Sequence, residues 1–232
     1  MVLCPLVTRA QNGTDTTTVV VSEKKPVAET ANGRQLRLGF DIGRLLSNSI
    51  YSTRKDYELM LDMYLHKELY LVAEGGFGNG VQDYDNLKYK SDNVFFRAGF
   101  DKYMFPRKNP DDWNGAFVGL RYGIGLINRT AAWYKTDDGF GGITTGTTPG
   151  AHFTAHWFEL TGGMRVLILP GVFAGWNIRG RFLLNQKSFD GLSPAYIAGY
   201  GQGDKQAVFD FNFYLSYAIR WGLKPAVSVP LK

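Results

Sequence analysis

Charged residues sit inside apolar alternations in this chain, and that placement restricts its fold more than any other feature. In Leu36-Arg37-Leu38-Gly39-Phe40-Asp41-Ile42 every even position is apolar, while the odd positions hold Arg, Gly and Asp. The pattern returns in Val94-Phe95-Phe96-Arg97-Ala98-Gly99-Phe100-Asp101 and in Trp176-Asn177-Ile178-Arg179-Gly180-Arg181-Phe182. A period of two is the signature of a strand. The polar face of a strand in a soluble sheet meets water and favours Thr, Lys and Glu. Here that face carries Arg, Asp, Glu and Gly, and the opposite face is apolar almost throughout. Such a strand suits lipid outside and a packed, ion-paired interior.

Eight such segments can be marked: 35–45, 56–65, 69–77, 93–103, 115–127, 156–168, 172–184 and 208–221. Most have about the length a tilted strand needs to cross a bilayer. The connections alternate. His66-Lys67-Glu68 and Leu169-Pro170-Gly171 are tight, and residues 104–114 have turn composition. The connections after the first, third, fifth and seventh segments are longer and polar, the largest being 128–155 and 185–207. The expected fold is therefore all-β: an eight-stranded antiparallel up-and-down transmembrane β-barrel. Its short turns would be periplasmic, its long loops external and both termini periplasmic. A mean hydropathy of −0.19 fits a barrel in which only alternate residues face lipid. A transmembrane helix is excluded, because no run of 18 apolar residues exists. A soluble lipocalin-like barrel is the closest structural rival, with its apolar face turned inward around a ligand.

The barrel is expected over residues 34–221. Residues 1–10 read as the remnant of a signal peptide ending at Ala10, residues 11–33 as a flexible periplasmic arm, and residues 222–232 as a periplasmic tail. The single cysteine, Cys4, rules out an intramolecular disulfide framework. The net charge of +5 is spread over strands and turns, so no nucleic-acid partner is expected.

On this parity the inward residues include Arg37, Asp41, Glu58, Asp62, Glu74, Arg97, Asp101, Arg121, Glu159, Arg165, Arg179, Arg181, Asp210 and Asn212. Six are Arg and seven are acidic, so the lumen is nearly neutral. Side chains just fill a barrel of eight strands. Arg suits such a network because its planar fork pairs with two carboxylate oxygens at once. The charges read either as a structural ion-paired core, which a barrel this narrow favours, or as an ion path.

Other chemistry is sparse. His152 and His156 lie four apart, but across a loop and a strand, so no metal site is expected. The Gly-rich runs 75–80 and 139–142 lack the Lys-Ser/Thr of a phosphate loop and read as flexible loop tips. No nucleophile elbow is present, and neither an enzyme nor a cofactor is expected. Trp113, Trp133, Tyr134, Trp157 and Trp221 read as aromatic girdles, with Trp133 and Tyr134 also candidates for partner contact.

The strand count, the turn alternation and the final strand 209–221 resemble the small outer-membrane barrels of the OmpA/OmpX type. Segments 36–44, 94–105 and 209–220, with the Ala10-Gln11 junction, are similar to an outer-membrane barrel family of Bacteroidota. That resemblance implies location and fold. The function expected is non-enzymatic: a structural or accessory subunit of an outer-membrane protein assembly. It would contact membrane lipid, lipopolysaccharide and other outer-membrane proteins. A narrow uptake pore and a lipid-modifying enzyme are the alternatives.

Overall fold

The computed structural model describes residues 33–107, 112–189 and 191–222. The expected signal remnant, most of the arm and nearly all of the tail lie outside these residues. The elements, in chain order, are β1 (Arg34–Asp41), α1 (Ile42–Ile50), β2 (Arg54–His66), β3 (Leu69–Tyr84), β4 (Leu87–Tyr103), β5 (Gly115–Arg129), β6 (Ala132–Asp137) and β7 (Ile143–Thr148). They continue with β8 (Ala151–Leu169), β9 (Val172–Leu183), β10 (Tyr196–Ile197), β11 (Gly201–Gln202) and β12 (Ala207–Trp221).

Strands β1, β2, β3, β4, β5, β8, β9 and β12 pair in that order, all antiparallel, and β12 pairs back onto β1. The result is a closed eight-stranded up-and-down barrel. Closure follows from the two-sided pattern, because a closed sheet has no edges to leave unpaired. Arg34 lies opposite Trp221, so the barrel's first and last residues meet at the short-turn end.

The outer wall is apolar on every barrel strand. Leu38, Leu59, Phe96, Leu120, Leu160, Ile178 and Phe211 are all more than half exposed. Soluble monomers rarely show contiguous apolar patches beyond a few hundred Å².

Several expectations need correction. The first strand stops at Asp41 rather than Leu45, and α1 follows it. The Asp41 carboxylate caps this helix by accepting from the Arg44 amide at 3.1 Å. Adjacent Leu45-Leu46 breaks the period of two, which a strand cannot absorb without turning one leucine inward. The third and fourth strands run on to Tyr84 and from Leu87, closing a tight turn where a long loop was expected. The run 75–80 is thus part of β3, not a loop tip. A Cβ at Gly76 would fall 2.0 Å from the Tyr57 carbonyl oxygen, and one at Gly78 2.5 Å from that of Lys55. Glycine there lets β3 press against β2. Gly139 and Gly141 do lie at a hairpin tip between β6 and β7, with φ of 79° and 91°.

At the β2–β3 turn, Lys67 and Glu68 both adopt left-handed backbone, with φ of 45° and 61°. Two positive φ angles match the hairpin's twist, but they suit Asn-Gly far better than Lys-Glu. Glu68 is retained by its ion pair with Arg107 at 3.0 Å. Lys67→Asn is expected to stabilise the barrel by about 0.5 kcal/mol. Thermal unfolding in detergent, read as the loss of the compact gel band, measures this.

Candidate functional site

The interior is the chemically distinctive part of this barrel. Alternation along each strand sends every second side chain inward, and the inward positions carry the charges. The structure places Arg37, Asp41, Glu58, Asp62, Glu74, Arg97, Asp101, Arg121, Glu159, Arg165, Arg179 and Arg181 on the inner face, all nearly or fully buried. Asp210 is also inward, near the long-loop end, with its side chain 24% exposed. The structure adds Arg44, Asp56 and Tyr214, which the strand alternation did not single out.

Three layers stack along the barrel axis. At the short-turn end, Tyr70, Tyr103, Trp113, Phe117 and Phe173 form an aromatic cluster. The Tyr70 and Tyr103 rings stack at 4.5 Å. The Arg37 guanidinium lies 4.7 Å from the Tyr70 ring centre while its Nε donates to Asp62 at 2.7 Å. Arg165 packs over Phe117 at 4.1 Å and donates to Asp101 at 2.6 Å. Each cation thus meets a carboxylate on one side and a ring on the other.

The middle layer holds three glutamates among four arginines. Arg97 pairs with Glu58 and Glu74. Arg179 reaches Glu74 at 2.9 Å and Glu58 at 3.2 Å. Arg121 links Asp101 at 3.0 Å to Glu159 at 3.3 Å, and Arg181 reaches Glu159 at 3.1 Å. The Tyr214 hydroxyl donates to Glu58. A charge taken out of water costs several kcal/mol unless it is paired and hydrogen-bonded. Every carboxylate here has at least one guanidinium partner. Space is scarce: the void beside Met60, Phe117, Arg165 and Tyr214 measures about 10 Å³, at the lower limit for a single water.

The third layer is a plug. The connection between β9 and β12, expected to be an external loop, folds back into the barrel mouth. Tyr196, Ile197, Ala198 and Tyr200 are buried against Phe95, Ile127, Trp157 and Leu183. The wall holds the plug's backbone directly. Arg97 and Arg181 donate to the carbonyls of Gly199 and Tyr200, both at 2.8 Å. Asn93 donates to that of Tyr196 at 3.1 Å. The Tyr196 hydroxyl donates to Asp56 at 2.5 Å, and Arg44 bridges Asp56 at 3.3 Å to Asp210. So α1 supplies one cation and the plug one phenol to the same carboxylate.

Burial pushes the Tyr196 hydroxyl well above its usual range and raises that of Tyr200 to about 12. A folded-state value above the unfolded one, near 10, means that the folded chain holds the proton more tightly. That stability is fully present below about pH 10 and is lost as pH rises towards 12. Protease cleavage within residues 186–206 is therefore expected to rise over this window. Tyr200→Phe should blunt the rise, because phenylalanine has no proton to lose.

The aromatic positions also differ from expectation. Trp113 and Trp157 are buried inside, in the basal cluster and against the plug, and are not girdle residues. Trp221 does face outward. Trp133 and Tyr134 are half-buried on β6, paired with Lys88 and Leu87 of β4. His156 faces the outer wall, where its Nδ1 lies 2.9 Å from the Tyr122 hydroxyl. His152 sits farther along β8 and is exposed. Among the described residues, no cluster of His, Cys, Asp and Glu is arranged to hold a metal.

The profile of the domain of unknown function DUF6048 matches residues 1–222. The chain belongs to that family. No curated protein matches it in sequence. Similar solved structures include two outer-surface or outer-membrane proteins. Neisserial surface protein A is 11% identical, with 81% of this chain and 94% of that one covered and a TM-score of 0.29. The N-terminal β-barrel domain of Pseudomonas aeruginosa OprF is 10% identical, with 82% and 98% covered and a TM-score of 0.31. In this DUF6048 chain the plug and the charge layers fill much of the interior along the barrel axis.

Proposed function

We propose that this DUF6048 chain is a non-enzymatic outer-membrane barrel that serves as a structural or accessory subunit of an outer-membrane protein assembly. The observation that carries the reading is the inversion of the usual protein order: an apolar exterior around a charged core. Lipid stabilises that exterior, whereas water would not. The long-loop end then faces outward and both ends of the barrel chain are periplasmic, after export by a signal peptide from a Bacteroidota cell.

The filled interior favours a structural role over transport. A core filled by paired Arg and acid side chains and roofed by Tyr196–Tyr200 is built for rigidity. The platform above the wall, made by the β3–β4 and β6–β7 hairpins, offers surface for protein partners. Phe140 at its tip is 97% exposed and Ile143 60%. Gentle detergent extraction, affinity purification and mass spectrometry test the subunit role. Stoichiometric outer-membrane companions are expected; a strictly monomeric protein with none would overturn it. Planar bilayers containing the protein are expected to show no steady conductance, and an unchanged lipopolysaccharide profile is expected on gene deletion.

A further inference from the structure

The outer wall changes from apolar to polar within a single row of the sheet. Tyr57, Phe77, Val94 and Leu126 are successive cross-strand neighbours on β2, β3, β4 and β5. All four are between 41% and 60% exposed. The next row outward, two residues along each strand, carries no apolar side chain. It runs from Lys55 through Asn79, Asp92 and Asn128 to His152 on β8. The wall is concave where the rows meet, and the groove there encloses about 860 Å³. That lies within the roughly 300–1,000 Å³ of small-ligand sites.

The geometry points to a binding site for an anionic acylated glycolipid of the outer leaflet, the phosphorylated lipid A class. It rests on the membrane placement proposed above. Acyl chains lie over Phe77, Val94 and Leu126, and the phosphorylated sugar meets the polar row. Charge favours an anion there. Asp92 is already held by Lys90 at 3.0 Å, which leaves Lys55 and His152 to face the headgroup. Smaller grooves of about 480 and 340 Å³ lie elsewhere on the outer wall, beside Ile178 and Leu215, but no charged side chain lines them, so this groove differs from them in size and in charge.

Native mass spectrometry of the detergent-purified full chain, incubated with lipid A, dephosphorylated lipid A or phosphatidylglycerol, tests the site. One retained lipid A adduct is expected. Leu126→Trp fills the groove and Lys55→Glu reverses its rim charge; each should lower retention about tenfold. Leu184→Trp, on another part of the outer wall, should leave it unchanged. Equal retention by Leu126→Trp, or phosphatidylglycerol bound as well as lipid A, overturns the inference. Flotation with liposomes separates the two readings. A protein that floats without an adduct refutes the groove alone, and one that does not float refutes the membrane placement with it.

Discussion

Replacing Arg97 by leucine is expected to cost the barrel about 3–5 kcal/mol, the range for removing one partner from a buried ion pair. Arg97 is fully buried and touches Glu58, Glu74 and Glu159, with the Gly199 carbonyl as a fourth partner. Its loss leaves Glu58 with Arg179 as its guanidinium partner and Glu74 with Arg179 and Arg121. With one cation fewer among the three buried glutamates, their mutual repulsion is less well offset. Glu74→Gln in the same chain removes one of the stranded charges, so the double variant should recover part of the loss. Urea unfolding in detergent, followed by tryptophan emission, gives both values. The coupling between the two changes then reports the interaction itself, because the residues are in direct contact.

The second large effect belongs to the plug. Tyr196→Ala should destabilise the mouth by about 3–5 kcal/mol, the usual cost of truncating a buried aromatic side chain. Tyr196→Phe keeps the ring and removes only the hydroxyl that donates to Asp56. It should cost about 1–3 kcal/mol, since the carboxylate loses a buried donor. The difference between the two variants separates packing from hydrogen bonding. The damage should be local. Limited proteolysis should cut within residues 186–206 of Tyr196→Ala long before the barrel unfolds, because the eight barrel strands pair with one another independently of the plug.

Inside and outside were legible in the sequence because a strand has a period of two. Once Leu36, Leu38 and Phe40 are set outward, Arg37 and Asp41 must point inward, and on the later strands the apolar run of each fixes the parity of its buried charges in the same way. Trp157 shares the inward parity of Glu159 and could have been placed inside on that ground, although aromatic residues near strand ends suggest a girdle. The α1 helix was harder to see: Ile42 continues the alternation, and only Leu45-Leu46 breaks it. Arg44 therefore escaped the interior set even though it pairs with Asp56 and Asp210. The plug was hidden by composition. Gly, Ser and Pro surround Tyr196-Ile197-Ala198, and local sequence cannot tell a surface loop from one folded back into a mouth. The apolar triplet beside Tyr200 was the available signal. The upper halves of β3 and β4 were hidden too, because Lys, Asp, Asn and Gly outnumber the scattered Val81, Tyr84, Leu87 and Tyr89 above Phe77 and Val94, and the alternation fades.

The central claim is that the apolar wall meets lipid and the charged core does not. Quenching by phospholipids brominated on their acyl chains tests it in reconstituted single-tryptophan variants. Trp176 lies on the outer wall at 37% exposure, and Trp157 is fully buried inside. The account predicts strong quenching of Trp176 and almost none of Trp157. Quenching of Trp157 with Trp176 spared would mean that the inner and outer faces of every strand had been exchanged.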